Sequence, residues 1–303
     1  MPRSRRRCAR RWTSSAISTV LSNPHKGAAL ASEALPARTV IERILLSRVA
    51  DLDALFEDPK IRAAVDAFAP SYVLVALPKS SSTFCTQALA AMLGAQVYKD
   101  IVTQDRFTPK DLSVAGIVNS RSRMTLSQVH LVATGANLRI LRHFRIPIAI
   151  LLRNLLDMSI SLRDHMNANP YFSSILIPNN WAALSDADKL DYVIDTAVPW
   201  AITFYASWAQ AIARGDVDAA FVHYENMVRE SVPFFRDLSA QLGRSIGDAT
   251  IEQCLAKVDK SEATRFNIGR AGRGQEELSA AQISRIRRHA DYYPGIDFAP
   301  LGL

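Results

Sequence analysis

The chain has little cysteine. Cys8, Cys85 and Cys254 are scattered through 303 residues without C-x-x-C spacing. That excludes a disulfide framework and a cysteine-built zinc site, and it predicts a reducing, cytoplasmic setting. No uninterrupted apolar run approaches the roughly 18 residues of a membrane span, so no integral membrane span is expected. Acidic residues are missing before Glu33, while Arg3, Arg5, Arg6, Arg7, Arg10, Arg11 and Lys26 lie in that stretch. Those cations amount to +7, which is the formal net charge of the whole chain, so the remainder is neutral. The basicity therefore belongs to a tail, and no nucleic-acid partner is expected for the folded body. Residues 1–36 read as that tail, solvated or targeting; an Arg- and Ser-rich start without acids fits a transit peptide. Internal repeats, linkers and further low-complexity segments are also missing, so residues 37–303 read as a single domain. An apolar content of 49% and a charged content of 21% fit an ordinary globular protein.

What is present is an alternation of strand-like and helix-like segments. Residues 37–68 carry apolar residues at helical spacing and predict one or two lead-in helices. An apolar, β-branched run at 72–77 predicts the first strand, and Thr83–Leu93 a helix. Thr125–Leu131 and 146–152 predict further strands, each followed by a helix, at about 133–145 and 155–167. Residues 169–184 form a loop rich in Pro, Asn and aromatics. A long helix or helix pair is expected over 186–214, a short strand over 219–224, and helices over 230–242, 248–258 and 279–291. Continuous apolar strands suit parallel pairing with both faces covered. The expected fold class is α/β: three layers, with a central, mostly parallel sheet flanked by helices. Ligands in such sheets bind at the carboxyl ends of the strands.

The first strand runs into Pro78-Lys79-Ser80-Ser81-Ser82-Thr83-Phe84. Strand, polar loop with a lysine, then helix is how a chain builds an anion site. Amides at the helix start face the anion, and the helix dipole adds about half a positive charge. The nucleotide triphosphate signature places lysine after its glycines, G-x-x-x-x-G-K-[ST]. Here the lysine comes first and the loop has no glycine. A phosphate-like or sulfate-like group is the expected guest.

A second signal is Arg153-Asn154-Leu155-Leu156-Asp157-Met158-Ser159-Ile160-Ser161. Arg153 is the first polar residue after an apolar strand, and Ser161 lies two helical turns further on. An arginine fork and a serine so placed suit one phosphate. Together the two segments resemble those of the PAPS-dependent sulfotransferases, where PAPS is 3′-phosphoadenylyl sulfate. That family carries P-K-S-G-T-T-W after its first strand and R-N-P-x-D-x-x-x-S after a later one. His223-Tyr224-Glu225 resembles its Y-E-D element, and Arg265 to Arg273 its R-K-G-x-x-G loop. Val129-His130-Leu131 is similar to its T-H-L. The resemblance covers residue 71 to the carboxyl end. It implies a P-loop NTPase-like sulfotransferase fold, PAPS as co-substrate and no metal. It also implies a 5′-phosphosulfate site at Lys79, Ser80, Ser81, Ser82, Thr83 and Phe84. The 3′-phosphate is implied at Arg153, Ser161 and the 265–273 loop with Gly272, and Tyr224 near the adenine. The chain departs from the pattern at Ser81, Phe84, Leu155, Gln128, Asn267 and Ile268. With the last two in place of basic residues, the loop's phosphate contact moves to Arg265, Arg270 or Arg273. Ser81 in place of glycine implies a backbone there that tolerates a Cβ.

Lys79 and His130 are the implied catalytic pair, the lysine at the leaving oxygen and the histidine as general base. An imidazole, with an ordinary pKa of about 6.5, suits the base role at neutral pH. Asp100, Asp105 and Asp164 are fallback bases. Cys85, on the first helical turn, reads as a small buried apolar residue. The aromatics at 171, 172, 181, 200, 204 and 205 divide between core and an apolar acceptor pocket. The implied partner is a small-molecule or glycan hydroxyl acceptor, and an oligomer is compatible with the sequence. Two other classes share these features: a P-loop kinase or NTPase, and a non-catalytic nucleotide binder.

Overall fold

The computed structural model describes residues 34–102, 111–168, 177–258 and 270–303. The basic tail up to residue 33, Asp105, Tyr171, Phe172 and Arg265 lie outside the described residues. Helix α1 spans Ala34–Leu46 and so begins inside the stretch assigned to the tail. Helices α2 (Leu52–Leu55) and α3 (Pro59–Asp66) complete the lead-in. Asp58 caps α3 by accepting from the Lys60 amide, with Pro59 at the first helical position.

Strand β1 (Ser71–Ala76) follows, then α4 (Ser82–Leu93), β2 (Gln96–Val97) and α5 (Val114–Ser120). Next come β3 (Thr125–Val129), α6 (Gly135–His143), β4 (Ile148–Leu152) and α7 (Leu155–Ala168). Helix α8 (Asp186–Ala213) leads to β5 (Phe221–His223) and α9 (Tyr224–Arg229). Helices α10 (Ser231–Gln241), α11 (Asp248–Lys257), α12 (Arg273–Glu277) and α13 (Ala280–Arg288) close the chain. The strands form one sheet in the order β2-β3-β1-β4-β5, every pair parallel.

The continuous apolar run of β1 has a direct cause. Tyr72, Leu74 and Ala76 join a core with α4, α10 and α11 on one face of the sheet. Val73, Val75 and Leu77 join a core with the lead-in helices and α5 to α8 on the other. Successive side chains of a strand point to opposite faces, so a strand covered on both sides is apolar at every position. The chain leaves β1 toward β2 on one side and leaves β4 toward β5 on the other. That reversal opens a crevice above the carboxyl ends of β1 and β4.

Some boundaries differ from expectation. Residues 186–213 form one helix, with Pro199 inside it. Strand β3 ends at Val129, which places His130 just past the sheet edge. Strand β5 is three residues long, and Tyr224 already opens a helix. Helix α12 forms in the 265–278 stretch, which has no periodic pattern. Among the described residues, no helix is long and apolar enough to cross a membrane.

Candidate active site

The loop from Pro78 to Ser81 turns directly above β1. Lys79 and Ser81 both have positive φ, 64° and 59°. Ser81 is the residue before α4, and its side chain makes no capping bond. The backbone therefore keeps the left-handed conformation that favours glycine, and the Ser81 Cβ is carried at a cost of about 1–2 kcal/mol. The first intrahelical donor is Cys85 N–H, to Ser81 O at 3.0 Å. The amides of Ser82, Thr83 and Phe84 precede it and have no carbonyl within the helix to use. They face the crevice end of a 12-residue helix, where the dipole is positive.

The side chains of this loop divide by use. Ser80 Oγ donates to Leu77 O at 2.6 Å and is buried, so its hydroxyl closes the turn. Ser82 is buried and its carbonyl accepts from Thr86 Oγ1 at 2.7 Å. Thr83 is half-exposed. Phe84 is 3% exposed, and its ring packs edge-on against Phe235 at 6.3 Å. The ring is thus part of the core beneath the loop. Cys85 is fully buried, and desolvation raises its thiol pKa far above the ordinary value, which keeps it protonated and inert.

Across the crevice, Arg153 is 5% exposed at the end of β4. Its Nη1 donates to the Lys79 carbonyl at 2.6 Å, and its guanidinium lies over the Tyr224 ring at 4.3 Å. Burial lowers its pKa, against the pull of Tyr224, Asp157 and Glu225. Its Nε is buried and has no hydrogen-bond partner among the described residues. A buried guanidinium N–H without an acceptor is costly, so this donor stands out among the buried polar groups at the crevice. Burial raises the Tyr224 phenol, opposed by Arg153 and by a hydrogen bond with the Ser81 side chain.

The neighbouring motif side chains are committed to the protein itself. Asn154 Oδ1 caps α7 by accepting from Leu156 N at 2.9 Å and Asp157 N at 3.2 Å. Glu225 Oε1 accepts from Asn154 N at 2.9 Å, which ties α9 to the end of β4. Asp157 accepts from Gly272 N through Oδ2 and from Gly274 N through Oδ1, each at 2.7 Å. Gly272 has φ 92°, and a Cβ on Gly274 would lie 2.4 Å from the Leu156 Cβ. Asp157, Ser161 and Asp164 share one face of α7, at i, i+4 and i+7. Ser161 is buried there, one turn from the carboxylate that holds Gly272.

The candidate arginines fare differently. Arg273 bonds Asp164 at 2.8 Å and Glu277 at 2.9 Å. Arg163 bonds the same two carboxylates, at 2.8 Å and 2.7 Å. In this closed ring, burial opposes the charge of Arg273, but the hydrogen bonds to Asp164 and Glu277 outweigh it and raise its pKa. Arg273 is thus a neutralised strut, and Asp164 is paired with both arginines. Arg270 is exposed and paired with Glu276. A cavity of about 650 Å³ opens behind the ring, lined by Arg163, Asp191, Glu277, Gln282 and Arg285. None of the predicted site residues lines it.

His130 lies beside the end of β1. Its Nδ1 is 2.7 Å from Ala76 O, and its Nε2 is 3.0 Å from Gln128 Nε2. A carbonyl only accepts, so Nδ1 carries the proton and Nε2 holds the lone pair. That is the tautomer a base at Nε2 needs. The other described histidines have different roles. His143 pairs with Asp53 on the surface. His223 precedes α9 and is pulled down by burial, against Glu225. The described aromatics proposed for an acceptor pocket are mainly core: Trp181, Phe204 and Tyr205 are buried, with Tyr205 Oη donating to Asp297 O at 2.7 Å. Among the described residues, no cluster of three or more His, Cys, Asp or Glu is placed to hold a metal.

Sequence reasoning missed Asp157 and Gly274 as site-builders, although both stand beside predicted residues. Their pairing spans more than a hundred residues and leaves no local pattern.

No family model and no curated protein matches the chain. Solved structures do match. One is mouse sulfotransferase SULT7A1 complexed with PAP, with a TM-score of 0.54 and 14% identity, over 79% of this chain and 90% of that one. Another is retinol dehydratase in complex with androsterone and inactive cofactor PAP, with a TM-score of 0.53 and 10% identity, over 74% and 80%. The five-stranded parallel sheet flanked by helices is the fold of these two PAP-bound proteins.

Proposed function

We propose that the protein is a sulfotransferase that moves a sulfuryl group from PAPS to a hydroxyl or phenol acceptor. The observation that carries this reading is the buried Arg153, bonded to the Lys79 carbonyl with its Nε unpartnered. It joins the two anion-binding corners into one site, as a nucleotide with phosphates on both ends of its ribose requires. The fold shared with two PAP-bound structures supports the same choice of nucleotide. Among the described residues, no group accepts from Arg153 Nε, so an anion that reached it would take a donor the protein leaves unused.

When bound, PAPS supplies an activated sulfuryl group, whose bridging S–O bond breaks as the acceptor oxygen bonds to sulfur. The first amides of α4 and the Thr83 hydroxyl hold the 5′-phosphate end. Lys79 places its ammonium where negative charge grows on the leaving oxygen; such a pre-aimed donor is worth roughly 3–4 kcal/mol in the transition state. Arg153 and Ser161 hold the 3′-phosphate, and Tyr224 backs the guanidinium. His130 Nε2 takes the acceptor proton. The chemistry is mostly positioning and charge neutralisation, as in phosphoryl transfer.

The test is transfer of radiolabelled sulfate from PAPS to a panel of simple phenols and alcohols. Turnover that depends on Lys79 is expected. Undiminished turnover in Lys79→Ala would remove the assignment, and hydrolysis of ATP with magnesium would favour a P-loop NTPase.

A further inference from the structure

His130 is held from both sides by groups of different character. Ala76 O is a backbone acceptor and fixes Nδ1–H. Gln128 is a side-chain amide near the end of β3, two residues earlier, with its nitrogen on Nε2. An amide has a donor end and an acceptor end. Its NH₂ serves the lone pair of neutral imidazole. Turned over, its oxygen serves the N–H of imidazolium.

We propose that Gln128 is a positioning residue for the base: its amide holds the His130 ring with Nε2 unprotonated, yields that lone pair to the acceptor hydroxyl, and turns over to accept from the imidazolium. This rests on the sulfotransferase reading for its use, but not for its geometry. The proton balance is simple. The acceptor O–H bond breaks, an Nε2–H bond forms, and the cation is stabilised by the Ala76 carbonyl on one side and the Gln128 oxygen on the other. A lysine at position 128 could serve the lone pair but would repel the cation. A leucine could do neither.

The charged groups at this sheet edge on neighbouring elements are Lys79, in the loop after β1, and Lys99 and Asp100, after β2. On the side of α8, the groups next to the 131–133 segment are neutral. Ser207 Oγ accepts from Ala133 N, and Trp208 Nε1 donates to Leu131 O. Gln128 is a titration-neutral group 3.0 Å from Nε2, so changing its charge reports its contribution.

The experiment is a ring-nitrogen NMR titration of the full chain labelled at histidine, with and without adenosine 3′,5′-bisphosphate. Wild type, Gln128→Leu, Gln128→Lys and Gln128→Glu are compared. His143, bonded to Asp53 away from the site, reports that each variant is folded. Wild type is expected to show His130 with Nδ1 protonated and Nε2 bare. The midpoint of His130 is expected to rise in the order Lys, Leu, Gln, Glu, with Glu about one unit or more above wild type. The acid limb of the rate profile should move with it. A wild-type spectrum with Nε2 protonated, or one midpoint shared by all four folded proteins, would overturn the proposal. Failure of the bisphosphate to bind counts against the sulfotransferase reading, and the midpoint order still decides the role of Gln128.

Discussion

The two corners of the crevice are built on opposite plans. At the β1–α4 corner, the first amides of α4 have no carbonyl within the helix to use, and the Ser81 side chain makes no capping bond. At the β4–α7 corner, nearly every polar side chain of the motif is committed within the protein. Asn154 caps a helix, Asp157 holds two amides, Glu225 holds a third, and Arg273 is locked between carboxylates. Among the described residues, the Arg153 Nε is the buried side-chain atom left without a hydrogen-bond partner there. A motif that resembles a ligand signature is thus mostly scaffold at one corner and mostly helix-start backbone at the other. The difference follows from burial. An open helix N-terminus can rely on water until an anion arrives, whereas buried carboxylates and amides must satisfy one another.

This contrast can be broken in several ways. The largest effect is expected at Lys79: Lys79→Ala should lower the transfer rate by about 10²–10³-fold while leaving the unfolding midpoint nearly unchanged. Asp157→Ala should do the reverse. It strands the Gly272 and Gly274 amides, so a loss of about 2–3 kcal/mol is expected in urea unfolding. Equal stability of the two variants would erase the distinction between the corners. Ser81→Gly relieves a left-handed serine and should stabilise by about 1 kcal/mol. The smallest effect concerns His223. Its folded pKa is depressed by burial, so its contribution to stability is present above the ordinary value of about 6.5 and is lost as pH falls through the folded pKa. His223→Asn should flatten the decline in thermal midpoint over that acid range.

Much of the β1–α4 corner was legible in the sequence because its signal is local. A β-branched run, a lysine with hydroxyls and a helical pattern stand next to one another in the chain. The sheet was legible for the same reason, since strands covered on both faces are apolar throughout. Helix α5 was not, because Val114, Gly116, Val118 and Asn119 are weak helix formers. Gly116 is there for another purpose: a Cβ would fall 2.0 Å from the Asp100 carbonyl oxygen. Strand β2 is two residues long, too short for any period. At the second corner, Arg153 and Ser161 were legible as residue types in register. What Asp157 and Gly274 do was not, because a carboxylate and a glycine amide 117 residues away share no pattern along the chain. Phe84 and the buried aromatics of α8 show the converse. Helical spacing is the same for a core stripe and for a pocket wall, and here the core prevails.

The central claim is that the two corners grip one nucleotide. Calorimetric titration with adenosine 3′,5′-bisphosphate, in wild type and in Arg153→Gln, tests it most directly, with ATP as the competing ligand. The account predicts metal-independent binding of the bisphosphate, tighter than that of ATP, and a loss of about tenfold or more in Arg153→Gln. Tighter binding of ATP that requires magnesium, or bisphosphate affinity unchanged by Arg153→Gln, would contradict it.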